Sequence, residues 1–151
     1  MVRSVLFVCL GNICRSPTAE GVFGAMAARA GLDLRVDSAG LGSWHLGDPP
    51  YGPAIRAAAA RGYDLSGQRA RQVRSDDFDR FDLILGMDAD NIAGLEHVRP
   101  PGNATPVRLF LDYAPETGVS EVPDPYYTGD FEKALDLVEA AARGLIKTLL
   151  S

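Results

Sequence analysis

Lysine is almost missing from this chain. Of 151 residues and 15 basic side chains, only Lys133 and Lys147 are lysine. Against 20 acidic residues the net charge is −5 and the pI is near 4.9. So little positive charge argues against nucleic acid or an anionic membrane as a general partner, and any anion site must be a local feature. Cysteine is scarce too. Cys9 and Cys14 fall within one short segment and cannot staple distant elements. A disulfide scaffold is excluded, and a reducing cytoplasm is the natural compartment. The two histidines, His45 and His97, lie in unrelated contexts without metal-ligand spacing, so no metal is expected. Long apolar runs are also lacking: the N-terminal one is too short for a signal peptide or a membrane span. What remains is ordinary. Apolar residues make up 46% and charged residues 23%, and the length suits one domain over 1–151 with its own core.

Strand signals fall at residues 4–8, 34–38, 82–85 and 107–111. Helical patterns lie between them. Ala19, Val22, Phe23, Met26 and Ala27 keep helical spacing up to Gly31. Pro53 opens a second helix over 54–61, stopped by Gly62. Short helices are predicted at 75–80 and 89–96. The clearest stripe is Phe131, Leu135, Val138, Ala142, Leu145 and Leu149, behind an Asp130 N-cap. Strands alternating with helices imply an α/β fold. The expected form is a four-stranded parallel sheet, in the order 2-1-3-4, with helices on both faces. Ligands in such sheets bind beyond the carboxyl ends of the strands, and Cys9 stands at one of those ends.

The segment 8–17 reads VCLGNICRSP. A strand that turns tightly into a helix aims backbone N–H groups at one spot, where the helix dipole also favours negative charge. A thiol held there tends to ionise. An arginine on the first turn offers a planar fork for two phosphate oxygens. The plainer reading is a buried strand-end cysteine, but Gly11, Asn12 and the Ser16-Pro17 pair favour an anion loop. Ser16 is predicted as N-cap and Pro17 as the first helical residue.

Two loops are long, 39–51 and 112–128. The first carries the only tryptophan, Trp44; the second ends in Asp124-Pro125-Tyr126-Tyr127. Hydrolysis of a phosphate monoester through a thiolate needs a nucleophile, donors for the phosphoryl oxygens and an acid for the leaving oxygen. The segment from Cys9 to Arg15 supplies the nucleophile and donors. Asp124 is the candidate acid, because prolines stiffen its loop and two tyrosines follow it.

Together, VCLGNICRSPTAEG and DPYY resemble the low-molecular-weight protein tyrosine phosphatases, along with RVDSAG, WHLGDPP, ARQV and FDLILGMD. The resemblance runs through essentially the whole chain. It implies that Cys9 attacks phosphorus, that Arg15 and the backbone of Leu10, Gly11, Asn12, Ile13 and Cys14 hold the phosphoryl oxygens, and that Ser16 stabilises the thiolate. Asp124 would protonate the leaving oxygen and then activate water. Asn12 and Ser38 would brace the loop, and Trp44, Tyr126 and Tyr127, with Leu10 and Ile13, would wall an aromatic slot. No cofactor or metal is implied. Gln68 stands where many relatives carry a loop-bracing histidine; glutamine also donates and accepts, so support is expected to survive. The expected partner is a tyrosine-phosphorylated protein. The oligomeric state stays open, with a monomer as default.

Three further residues and two rival functions complete the picture. His45 reads as a solvated loop residue. Asp88 either caps the helix after Met87 or supports the site. Cys14 either fills space behind the loop or protects Cys9 by condensing with its sulfenic acid. Two rivals to the phosphatase are weighed: a thiol-dependent arsenate reductase with the same loop, and an inactive phosphate-binding module. The reductase class relays oxidation through further cysteines, and none follows Cys14.

Overall fold

The apolar run near the start of the chain becomes an inner strand of the sheet. In the computed structural model, which describes Met1–Ser151, β1 (Ser4–Cys9) is buried at every position. Alternate side chains point to opposite faces, and each face carries its own core. Val5, Phe7 and Cys9 join the larger cluster, while Leu6 and Val8 join the smaller one. A strand buried on both sides reads as a continuous apolar run, as this one does.

Three further strands complete the sheet: β2 (Arg35–Gly40), β3 (Leu83–Gly86) and β4 (Val107–Leu109). All pairs are parallel and the order is β2-β1-β3-β4, as predicted. The register sets Cys9 beside Gly40. The larger core lies under α1 (Arg15–Arg29), α2 (Gly52–Ala60) and a long C-terminal helix, Phe131–Leu150. On the other face, Phe78 of α3 (Asp77–Arg80) and Leu95 of α4 (Ala89–Val98) cover the smaller core. A four-residue helix, α5 (Pro125–Thr128), precedes the C-terminal helix, α6. Asp130 caps α6 by accepting from the Lys133 amide at 3.0 Å. Gly144 on α6 lies so close to the Tyr113 carbonyl that any Cβ would collide with it. No helix is long and apolar enough to cross a membrane.

Two boundaries differ from expectation for visible reasons. β2 runs on to Gly40 because residues 71–73 pair with its end: Gly40 donates to Arg71 O at 2.8 Å and Val73 donates to Gly40 O at 2.8 Å. β4 stops at Leu109, and the chain bends into a 3₁₀ turn, Phe110–Tyr113, that buries Phe110 and Leu111. The apolar run from 107 to 111 is thus half strand and half turn. The predicted loop 112–128 also holds regular structure, a 3₁₀ turn at Pro115–Thr117 followed by α5.

Candidate active site

Between β1 and α1 the backbone curls through residues 10–14. Asn12 is the only non-glycine residue with positive φ, at 57°, a conformation that asparagine tolerates better than most. Its side chain ties the loop to the body of the protein. Oδ1 accepts from the Arg71 amide at 3.0 Å, which fixes the direction of the amide group. Nδ2 therefore donates both ways, to Ser16 Oγ at 2.8 Å and to Ser38 Oγ at 3.0 Å. Ser16, already accepting, has its own proton free. Cys9 Sγ at 3.0 Å is a nearer acceptor for it than the Ala39 carbonyl at 3.5 Å. The Asn12 amide also donates to Cys9 Sγ, at 3.3 Å. Two donors converge on one buried sulfur. Gly40 makes room for this curl: a Cβ there would press on the Asn12 nitrogen at 3.1 Å.

Ser16 is not the N-cap that the sequence predicts. Helix α1 starts two residues earlier than expected, at Arg15, with Cys14 at the cap position and no side-chain cap bond. The Ser16 hydroxyl is engaged by Asn12 and Cys9 instead, and sits within the first turn.

Behind the loop, Ser38 donates to Glu20 Oε1 at 2.7 Å. Burial pushes the Glu20 carboxyl above its ordinary value, and the Ser38 bond only partly opposes this. A carboxyl raised on folding takes up protons more readily in the native state, so stability falls as pH rises through the raised value. The advantage of a Glu20→Gln variant in thermal unfolding should accordingly grow as the pH rises above the ordinary carboxylate range, about 4. Parallel stability curves for the two proteins would contradict this.

Arg15 is 4% exposed. Nη1 donates to Asp88 Oδ2 at 2.7 Å and to the Val122 carbonyl at 3.0 Å. Burial works against its charge, but the Asp88 bond and the nearby Cys9 and Asp124 more than offset that, and its pKa is raised. Asp88 fills both of the roles weighed for it, since its Oδ1 also caps α4 through the Asn91 amide at 2.7 Å. Nε of Arg15 is buried and finds no partner in the protein. Buried donors are rarely left unpaired, and an oxyanion in the loop would satisfy this one. Asp124 stands at the edge of the same site, its Oδ2 3.6 Å from Arg15 Nη2. Its Oδ1 accepts from the Tyr126 amide at 3.1 Å, which makes Asp124 the cap of α5.

A slot of about 240 Å³ opens here. Leu10, Gly11 and Ile13 line it from the loop, and Trp44, Tyr126 and Tyr127 add aromatic surface beside Asp124. The Trp44 ring occupies the space that a Cβ on Gly42 would need.

The sequence signature described as low molecular weight phosphotyrosine protein phosphatase matches residues 4–151. The chain belongs to this phosphatase family. It is 43% identical over 148 residues to the low molecular weight protein-tyrosine-phosphatase YfkJ of Bacillus subtilis, covering 97% of this chain and 95% of that one. The crystal structure of YfkJ superposes with a TM-score of 0.93 at 42% identity, covering 99% and 96% of the two chains. The Drosophila arginine phosphatase DARP has a TM-score of 0.92 at 30% identity, covering 100% and 99%. The protein is therefore a hydrolase of the protein-tyrosine-phosphatase class.

Other residues of this phosphatase fall where the sequence did not point. His45 is not a free loop residue. It lines the slot, leans on Gly11 and holds Nδ1 3.6 Å from Asp48. Gln68 reaches the helix behind the loop and not the loop itself. Its Nε2 donates at 3.0 Å to the Pro17 carbonyl, in the first turn of α1 rather than in the loop, and its Oε1 is left buried without a partner. Cys14 is buried, and its thiol is pushed up to about 12 by burial and then by Asp124 and Cys9, with Arg15 opposing. Glu20 and Tyr51 were missed altogether. Each lies far along the chain from the side chain it meets.

Proposed function

We propose that this phosphatase hydrolyses phosphotyrosine in proteins through a phosphocysteine on Cys9, with Asp124 as acid and then base. The observation that carries the reading is the unpartnered Nε of Arg15, buried at the far end of the loop that starts from the Cys9 sulfur. In the first step a sulfur lone pair forms a bond to phosphorus and the bond from phosphorus to the aryl oxygen breaks. Protonated Asp124 gives its proton to the departing oxygen. Arg15 and the loop amides meet the charge on the phosphoryl oxygens. In the second step water adds to phosphorus, its proton passes to the Asp124 carboxylate, and the bond between phosphorus and sulfur breaks. The Ser16 hydroxyl, free to donate, stabilises the thiolate that leaves.

The fold by itself does not choose between phosphate esters and other phosphoryl compounds, since DARP, an arginine phosphatase by name, shares it. The aromatic lining of the slot favours an aryl group through stacked and edge contacts. Asp124→Ala tests the acid role. kcat/KM for phosphotyrosine should fall about 10²–10⁴-fold, and the loss should shrink for esters of acidic phenols, which leave without a proton. An equal loss on every ester would remove Asp124 from that role.

Cys14 as a redox partner of Cys9 belongs to the same reading. Its place in one curled loop favours condensation with a Cys9 sulfenic acid. Its raised pKa keeps it a thiol at neutral pH, which slows attack, because the thiolate is the reactive form. Two unpaired thiols and no apolar helix long enough for a membrane suit a cytoplasmic enzyme.

A further inference from the structure

Tyr51 occupies the N-cap of α2, yet its side chain makes no cap bond. Tyrosine has no side-chain acceptor within reach of that turn, which short polar residues serve. Capping therefore does not account for the residue. Its backbone and its ring face two different parts of the catalytic centre. The Tyr51 amide donates to the Ile13 carbonyl of the phosphate loop at 2.8 Å. Its ring lies 5.1 Å from that of Tyr126, tilted by 54°, and 6.1 Å from Phe131 at the start of α6. These separations are those of favourable aromatic pairs.

Tyr126 matters because its amide holds the carboxylate of Asp124 at 3.1 Å. Other ties secure this loop before Asp124: Val122 donates to Met87 O at 2.9 Å and accepts from Arg15 Nη1 at 3.0 Å. Pro125 is buried just after it. These hold the chain up to the Tyr126 amide but not its side chain. The Tyr51 ring packs against that side chain. Tyr126 and Tyr127 line the slot and Tyr51 does not.

We infer that Tyr51 is a positioning residue for the acid, tying the Asp124–Tyr126 turn to the loop that holds the phosphoryl group. This rests on the acid role proposed for Asp124. The working part is the ring, because its hydroxyl bonds to nothing in the protein. A displaced acid costs rate only where the leaving oxygen needs a proton, and small misplacements of catalytic groups cost rate steeply.

The test compares Tyr51→Ala, Tyr51→Leu, Tyr51→Phe and Asp124→Ala on phenyl phosphate and on 4-nitrophenyl phosphate, with competitive inhibition by inorganic phosphate. Tyr51→Ala should lower kcat/KM for phenyl phosphate about tenfold and for the nitrophenyl ester by less than about threefold. Phosphate inhibition should be unchanged and Tyr51→Phe should match the wild type. Tyr51→Leu keeps apolar volume next to Phe131 without the aromatic pair, and should behave like the alanine variant even where the latter folds poorly. Equal losses on both esters, a matching loss of phosphate binding, or a phenylalanine variant as slow as alanine would each overturn the role. If Asp124→Ala is sensitive to the leaving group and the Tyr51 variants are not, only the Tyr51 role fails. If Asp124→Ala is itself insensitive, the acid assignment fails and the Tyr51 role fails with it.

Discussion

Cys9→Ser should abolish turnover of aryl phosphates while the anion site survives. Serine is close to cysteine in size, though its shorter C–O bond draws the tip back, and Asn12, Ser16 and Ser38 can keep the bonds among themselves. What is lost is nucleophilicity. A serine hydroxyl needs a base to take its proton, and the neighbours of this position are donors: the Asn12 amide at 3.3 Å and the Ser16 hydroxyl at 3.0 Å. Arg15 still holds its place through Asp88 and Val122. Inorganic phosphate should therefore still bind, as read by calorimetry, while kcat for phosphotyrosine falls below detection. Residual turnover within about tenfold of wild type would mean that the sulfur is not the attacking atom.

Arg15→Lys is the second large effect. Arg15 uses its nitrogens separately: Nη1 on Asp88 and Val122, Nη2 facing Asp124, and Nε left over for a ligand. Lysine carries the same charge on one compact ammonium and lacks the planar fork. It can keep Asp88 or meet a phosphoryl oxygen, but not both in the same geometry. Loss of one such preorganised donor costs about 10²–10³ in kcat. Phosphate inhibition should weaken in parallel, because the ground-state anion uses the same fork. The variant should also unfold at lower temperature, since Asp88 and the Val122 carbonyl lose a buried partner. Wild-type kinetics in Arg15→Lys would show that charge alone is enough.

The parts of this site that were legible in the sequence are those whose chemistry is local. Cys9 through Arg15 form one contiguous loop at the end of an apolar strand, and strand-to-helix geometry already says where its amides point. Alternation of strands and helices motivated both the parallel sheet and its order, and the structure has both. Local reasoning failed where a side chain finds its partner across the fold. Ser16 looks like an N-cap because serine before a proline-led helix usually is one, but Asn12 and Cys9 claim its hydroxyl. His45 reads as a solvated loop residue and is a third exposed, yet it also lines the slot. Tyr51 gives no signal at all, because its partner Tyr126 belongs to a different loop. The end of β4 was misread for another reason: Phe110 and Leu111 are buried in the turn, and the apolar pattern alone is the same for strand and turn.

The central claim is a covalent one, that the phosphoryl group passes through the sulfur of Cys9. Its most direct test is to denature the enzyme rapidly during turnover of a phosphotyrosine peptide and locate bound phosphoryl by mass spectrometry. One phosphoryl group on Cys9, absent from Cys9→Ser, is the predicted result. A phosphoryl group on Cys14 or Ser16, or none on any residue while turnover proceeds, would contradict it.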